Sequence, residues 1–466
     1  MKILTNKNNF NTTLFLTSQI TELPEEIRPL CQKYFTTKEN KVVYLPTEKS
    51  ISIVVLALEI ADNQAKIAEK LRVLGHEVLQ LLQKEDITEA ILQTTFPEDD
   101  ILVFLEGMLL SEYTFDKYKT KQNSENKELT ISINAISEEN ITELQNVISS
   151  VSIARTLVNE PVSYLNSVKF SQEIINLSEK FGFSVQVFNK KQIEDLKMGG
   201  LLGVNQGSEQ PPTFNILTWK PDNAVNEKPY VFVGKGVVYD TGGYNIKTGA
   251  YMDEMKSDMA GGAAVVGTLC AIAQNKLPLY VVGLIPSTDN RISSNALVSD
   301  DILTMMNGLT VEIKNTDAEG RLILADALVY AERYNPELVI DLATLTGAAA
   351  RVTSHYGSAV MGTATEGVKN ELKKSGEATY ERLIEFPFWD EFDEDIKSPI
   401  ADIKNLGGAE GGASTAGKFL QRFTNYPWLH LDIAGTAFLN KPYKYFKVGG
   451  TGVGIRLLYH FLKKQC

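Results

Sequence analysis

Two carboxylates and a guanidinium fall within one short stretch of this chain: Asp317, Glu319 and Arg321 in Asn315-Thr-Asp-Ala-Glu-Gly-Arg-Leu322. Apolar Leu309-Thr310-Val311 precedes the stretch and Leu322-Ile323-Leu324 follows it. Charges set between two apolar elements call for a bound counter-charge. The candidates are a metal for Asp317 and Glu319 and an anion for Arg321. A second reading fits the same residues. Thr316-x-x-Glu319 matches a capping box, with Thr316 as the N-cap of a helix and Glu319 reaching back to its amide.

Other charged residues extend the set. Asp240 and Lys235 lie in the glycine-rich run Val233-Gly-Lys-Gly-Val-Val-Tyr-Asp-Thr-Gly-Gly243, Lys247 follows it, and Asp258 sits in Met255-Lys-Ser-Asp-Met259. Asp240, Asp258, Asp317 and Glu319 cannot crowd together ionised without compensation. Divalent cations are the usual solution, and four carboxylates can hold two of them. Lys235, Lys247 and Arg321 then balance the remaining charge or stabilise an oxyanion. The same acids also fit as salt-bridge partners of those lysines. Oxygen ligands alone suit Mn or Mg, whereas a neutral lysine nitrogen among them shifts the choice toward zinc and needs a strongly lowered lysine pKa.

Alternative chemistries find less support. The glycine run is not a phosphate loop, because Lys235 is followed by Gly236 where G-x-x-x-x-G-K-[ST] requires a hydroxyl residue. No G-x-S-x-G occurs, and Cys270 in an apolar helix reads as packing rather than as a nucleophile. His76, His355, His430 and His460 all lie away from the acids. His430, in Trp428-Leu-His-Leu-Asp432, reads as a core histidine on a buried strand.

The elements that must position these groups alternate. Strands are expected at Leu14–Leu16, Ile51–Leu58 and Ile101–Leu105, with a helix over Asn63–Leu74 and a loop over Lys119–Lys127. A long helix over Ser137–Leu157 ends at Asn159-Glu160-Pro161, since proline disfavours helix in the residue before it. Beyond it come strands at Tyr230–Val233, Leu279–Ile285 and Leu338–Leu342, and helices over Glu254–Gln274 and Leu322–Tyr334. This reads as an α/β protein: a small N-terminal α/β domain (1–136), a linker helix (137–160), and a larger C-terminal catalytic α/β domain (161–466) with a mostly parallel sheet covered by helices. In such a sheet the ligand site lies beyond the carboxyl ends of the strands. All four acids then share one rim.

The whole chain narrows the function classes. Its 466 residues suit two domains, and 43% hydrophobic with 22% charged residues is an ordinary globular composition. A net charge of −12 argues against general nucleic-acid binding. Cys31, Cys270 and Cys466 are widely separated and form no C-x-x-C, which points to a reducing cytoplasm. Residues 1–13 lack an apolar core for a secretory signal, and the longest small-apolar run, Gly261–Ala273, is too short to span a bilayer.

These residues resemble the leucyl aminopeptidase family, the dinuclear-metal cytosol aminopeptidases. The resemblance runs through Asn315–Leu322, Val233-Gly-Lys-Gly236, Asp240-Thr-Gly-Gly243, Lys247, Met252–Lys256 and Asp258-Met259. Asn159-Glu-Pro161, Gly203–Ser208, Asp341–Gly347, Ala401–Asn405, His430–Gly435, Phe104–Gly107 and Tyr113–Lys119 are similar too. The resemblance implies that Lys235, Asp240, Asp258 and Glu319 hold the tighter of two divalent ions, zinc or manganese. Asp240, Asp317 and Glu319 would hold the more exchangeable one, with Asp240 and Glu319 bridging.

Lys247 and Arg321 would be the catalytic pair, with bicarbonate held on Arg321. Thr344, Leu345 and Gly347 would line the substrate cleft, with Met255 in its apolar side-chain pocket. The implied activity is removal of a leucine-like N-terminal residue from peptides, in a cytoplasmic homohexamer. A non-catalytic or DNA-binding protein on the same fold is the alternative. The chain departs from the family at Asn245-Ile-Lys-Thr248, Tyr239 and Ser293–Asp301, none of which removes an implied ligand.

Overall fold

A computed structural model describes the whole chain except residues 6–9, 38–39, 58–62, 121–127 and 135. Most of the expected loop Lys119–Lys127 therefore lies outside the described residues. The chain divides into two compact units, Met1–Ile148 with Lys441–Val448, and Ser149–Asn440 with Gly449–Cys466. The division falls inside the helix Glu138–Asn159.

Among the described residues, the first unit is built on a six-stranded sheet. Lys2–Leu4, Thr130–Ser132, Glu89–Thr94, Thr12–Thr17 and Ile51–Leu56 are parallel neighbours in that order, and Lys41–Pro46 closes one edge antiparallel. One expectation fails here. Ile101–Leu105 is not a strand but part of the helix Glu98–Glu112. A continuous apolar run suits a wholly buried helix as well as a buried strand, and periodicity cannot separate them. Three acids in its first turn, Glu98, Asp99 and Asp100, favour a helix start electrostatically. Gly75 and Gly107 then let this helix touch the helix Gln64–Lys84. A Cβ on Gly75 would lie 2.1 Å from Phe104 O, and one on Gly107 would lie 2.0 Å from Arg72 O.

The second unit carries a nine-stranded sheet among the described residues. Its centre is parallel: Trp428–Asp432, Leu338–Ala343, Tyr230–Gly234 and Val281–Asn290 lie side by side, with Gly236–Asp240 pairing on to Val281–Asn290. Both faces are covered, so these strands read as unbroken apolar runs, and Val231, Val233, Val282, Leu284 and Val339 are all fully enclosed. Antiparallel strands flank this centre. The helix Ala260–Gln274 crosses one face at very short range. A Cβ on Gly261 would stand 1.9 Å from Leu342 O.

The expected helix over Glu254–Gln274 is interrupted at its start. Met255–Ser257 forms a separate 3-10 turn, entered through Glu254 at φ 65°, and the α-helix begins only at Ala260. Asp258 is thereby left in the junction, pointing at the rim rather than lying along a helix side. Among the described residues no helix is long and apolar enough to cross a membrane.

Candidate active site

The parallel strands deliver their carboxyl ends to one rim, and the charged residues follow from that direction. Lys235 comes directly after Tyr230–Gly234, and Asp240 ends Gly236–Asp240. Glu319 is the first residue of the helix Glu319–Ala331, with Asp317 just ahead of it. Thr344 to Gly347 leave the strand Leu338–Ala343.

The structure brings the charges into two joined clusters. Asp240, Asp317 and Glu319 each offer a carboxylate oxygen within 4.8 Å of the others. Asp258 stands outside that trio but is tied to it through Lys235. The Lys235 ammonium reaches Asp258 Oδ1 at 2.9 Å, Glu319 Oε1 at 2.8 Å and the carbonyl of Thr344 at 2.9 Å. Lys247 spans the other side, 2.8 Å from Asp240 Oδ2 and 2.6 Å from Asp317 Oδ1.

Four carboxylates thus meet two ammoniums in a largely buried place, and burial and neighbouring charge shift Lys235, Lys247, Asp258 and Asp317. Burial alone would push the Lys235 ammonium down, but Asp258, Glu319 and Asp240 outweigh it and carry it above the usual lysine range. Lys247 is raised in the same way, burial being overcome by Asp240, Glu319, Asp258 and Asp317. Burial lifts Asp258 well above the carboxylate range against the pull of Lys235. Burial, with Asp240 and Glu319 beside it, lifts Asp317 to about 7. The lowered lysine that a nitrogen ligand needs is therefore absent while the carboxylates alone surround it. A cation taking those carboxylates would remove what holds the Lys235 proton.

Unused ligand atoms mark where such a cation fits. Asp258 Oδ2 and Glu319 Oε2 are buried without a hydrogen-bond partner. Buried carboxylate oxygens are rarely left so, and unmatched ones signal a missing ion or water. Arg321 tells a similar story with opposite sign. Its Nη1 donates to Asn405 O at 2.8 Å while its buried Nε has no partner. Burial pulls this guanidinium down to about 10 against Glu319 and Asp432. An oxyanion would satisfy it.

Around the charges stand the substrate-cleft candidates. Thr344 donates its hydroxyl to Asp258 Oδ1 at 2.7 Å. The Leu345 amide is held by Asp432 Oδ1 at 3.2 Å, and Gly347 opens the helix Gly347–Thr353 with Thr346 as its cap. Gly347 is exposed, and Met255 is half-buried in the turn that leads to Asp258.

The capping-box reading of Thr316 and Glu319 does not hold. Ala318 precedes the helix without a side-chain cap, Glu319 is turned to Lys235, and Thr316 bonds elsewhere. Sequence reasoning also passed over uncharged residues that shape the site. Asn290 Nδ2 donates to both Asp240 Oδ1 (2.8 Å) and Thr316 O (3.0 Å). Asn405 Oδ1 accepts from the Lys314 amide at 2.8 Å while its Nδ2 donates to Asn315 O at 2.7 Å. Asn290 ends an apolar strand at the rim, which was the available signal.

His430 is fully enclosed as expected, its Nδ1 donating to Asp341 Oδ1 at 2.6 Å. Burial pushes the Cys270 thiol up to about 12, which leaves it inert as a nucleophile.

Comparison with known proteins agrees with this geometry. Residues 152–459 match the model of the cytosol aminopeptidase family, catalytic domain. A probable cytosol aminopeptidase of Syntrophotalea carbinolica is 42% identical over 78% of this chain and 75% of its own length. One from Geobacter sulfurreducens is 39% identical over 90% of this chain and 86% of its own. Among solved structures, the bottromycin maturation enzyme BotP in complex with Mn superposes with a TM-score of 0.87 at 27% identity, covering 98% of this chain and 99% of that one. The chain belongs to the cytosol aminopeptidase family and is a metal-dependent aminopeptidase, a hydrolase acting on peptides.

Proposed function

We propose that this aminopeptidase works with two divalent ions, zinc or manganese, at the rim built from Lys235, Asp240, Asp258, Asp317 and Glu319. The convergence of Asp240, Asp317 and Glu319 carboxylates within 4.8 Å carries this reading. The unpartnered Asp258 Oδ2 and Glu319 Oε2 and the excess of negative charge support it. Lys235, Asp240, Asp258 and Glu319 would hold the tighter ion, and Asp240, Asp317 and Glu319 the exchangeable one. When bound, such ions lower the pKa of water toward neutrality and polarise a carbonyl.

The chain's own residues do the rest. Lys247 keeps its positive charge and places it beside Asp240 and Asp317, where negative charge develops on the scissile carbonyl oxygen. Arg321 presents its free Nε to an anion, which we read as bicarbonate serving as the proton carrier. An ion held by Asp240, Asp317 and Glu319 would offer a site for the substrate's free α-amine, which would confine cleavage to the first residue. Thr344, Leu345 and Gly347 line the cleft, and Met255 borders the pocket for a leucine-like side chain. A homohexamer in the cytoplasm is the assembly and compartment we propose.

The test is a panel of aminoacyl p-nitroanilides assayed after chelation and after return of Mn or Zn. Turnover that vanishes with the chelator and returns with metal, highest on leucine-like residues, is expected. Chelator-resistant turnover, or a Lys247→Ala protein as active as the parent, would overturn the reading.

A further inference from the structure

Thr316 has the sequence position of a helix cap, yet it makes its side-chain bonds to a different loop. Its hydroxyl donates to Gly242 O at 2.6 Å and accepts from the Asn245 amide at 2.8 Å. Asn245 answers with its side chain, Oδ1 accepting from the Thr316 amide at 2.8 Å. The Thr316 carbonyl accepts from Asn290, the same amide that holds Asp240. Thr316 is 2% exposed, so water does not compete for these bonds.

The approach is close because Gly242 and Gly243 take left-handed backbone, at φ 83° and 63°. A Cβ on Gly243 would sit 2.9 Å from Thr316 Oγ1, and one on Gly242 would sit 2.9 Å from Asp317 Oδ1. The Thr316 hydroxyl therefore joins two separate pieces of the site. One is the loop Gly242–Lys247, and the other is the turn Asn315–Glu319.

We infer that Thr316 is a positioning residue for Lys247, its hydroxyl latching the lysine loop to the turn that bears Asp317 and Glu319. This rests on reading Lys247 as the catalytic cation and those acids as metal ligands. Among the described residues, the Lys247 ammonium is otherwise placed by Asp240 and Asp317. Carboxylates that turn to a cation release it. The position of a long flexible side chain then depends on its own backbone, which is held by the Lys247 amide on Thr241 O at 2.9 Å and by the latch through the intervening loop.

Thr316→Val keeps the shape and removes the hydroxyl; Thr316→Ser keeps the hydroxyl. In the metal-loaded enzyme Thr316→Val is expected to lose about ten- to a hundredfold in kcat, with KM within about threefold and Thr316→Ser close to the parent. In the metal-free protein, amide exchange at Asn245 should rise about tenfold or more in Thr316→Val and not in Thr316→Ser. If Thr316→Val does not fold, Thr316→Ala carries the same comparison, since it also removes the hydroxyl that bonds Gly242 O and the Asn245 amide.

A folded, metal-loaded Thr316→Val with parental kcat overturns the latch, as does a Thr316→Ser that falls equally far. Lys247→Ala separates the two readings. If it keeps parental kcat, the role of Lys247 fails. If it loses activity and Thr316→Val does not, only the latch fails.

Discussion

Lys235 and Glu319 lock together at the centre of the site: Nζ lies 2.8 Å from Oε1, with both side chains almost fully enclosed. Gly320 makes the room for this pair, because a Cβ there would stand 2.6 Å from Lys235 Nζ. Gly320→Ala should therefore push the lysine off its partners. A loss of about tenfold or more in kcat/KM is expected, with a stability cost of about 1–3 kcal/mol from overpacking. Activity of the purified variant at parental level would show that Lys235 has slack the structure does not show.

Metal binding can be read without turnover. Adding Mn or Zn at about a hundredfold excess over Kd should stabilise the parent by about 2.7 kcal/mol, seen as a rise in Tm. Glu319→Gln should lose most of that rise, since Glu319 faces both proposed ion positions. An equal Tm rise in the two proteins would place the ions elsewhere.

Arg321→Ala should separate the anion from the metals. The variant is expected to lose about ten- to a hundredfold in kcat and to stop responding to added bicarbonate. Its metal-induced Tm rise should persist. A bicarbonate response that survives in Arg321→Ala would assign the anion to another group.

Asp326 provides a pH test away from the site. It is fully buried in the helix Glu319–Ala331, and its oxygens accept from the Leu201 and Met306 amides at 3.0 and 2.9 Å. Burial raises it from 3.8 to about 7 despite those bonds. A raised carboxyl favours the folded state when protonated. Its contribution is complete below about 3.8 and is lost as pH rises toward about 7. The stability of the parent relative to Asp326→Asn should therefore fall across that window and flatten above it. Denaturant midpoints measured at pH 4 to 8 check this, and a difference that does not change with pH would count against it.

The chemistry we propose for this protein rests on ionisable residue types in short, ordered stretches. Lys235, Asp240, Lys247, Asp258, Asp317, Glu319 and Arg321 could accordingly be named from the chain alone, as could the α/β alternation that puts them at one rim. Local sequence was sufficient there because strand direction and the 2.0 and 3.6 periodicities are local properties. Tertiary structure decided what depends on residues far apart in the chain. It made Ile101–Leu105 a helix, through contact with the helix Gln64–Lys84. It set Asp258 beside Lys235 rather than in the carboxylate trio. It also turned Thr316 from a cap into a partner of Gly242 and Asn245, more than seventy residues away. A threonine hydroxyl can satisfy its own turn or a distant loop with similar bonds, and only the packed chain chooses between them.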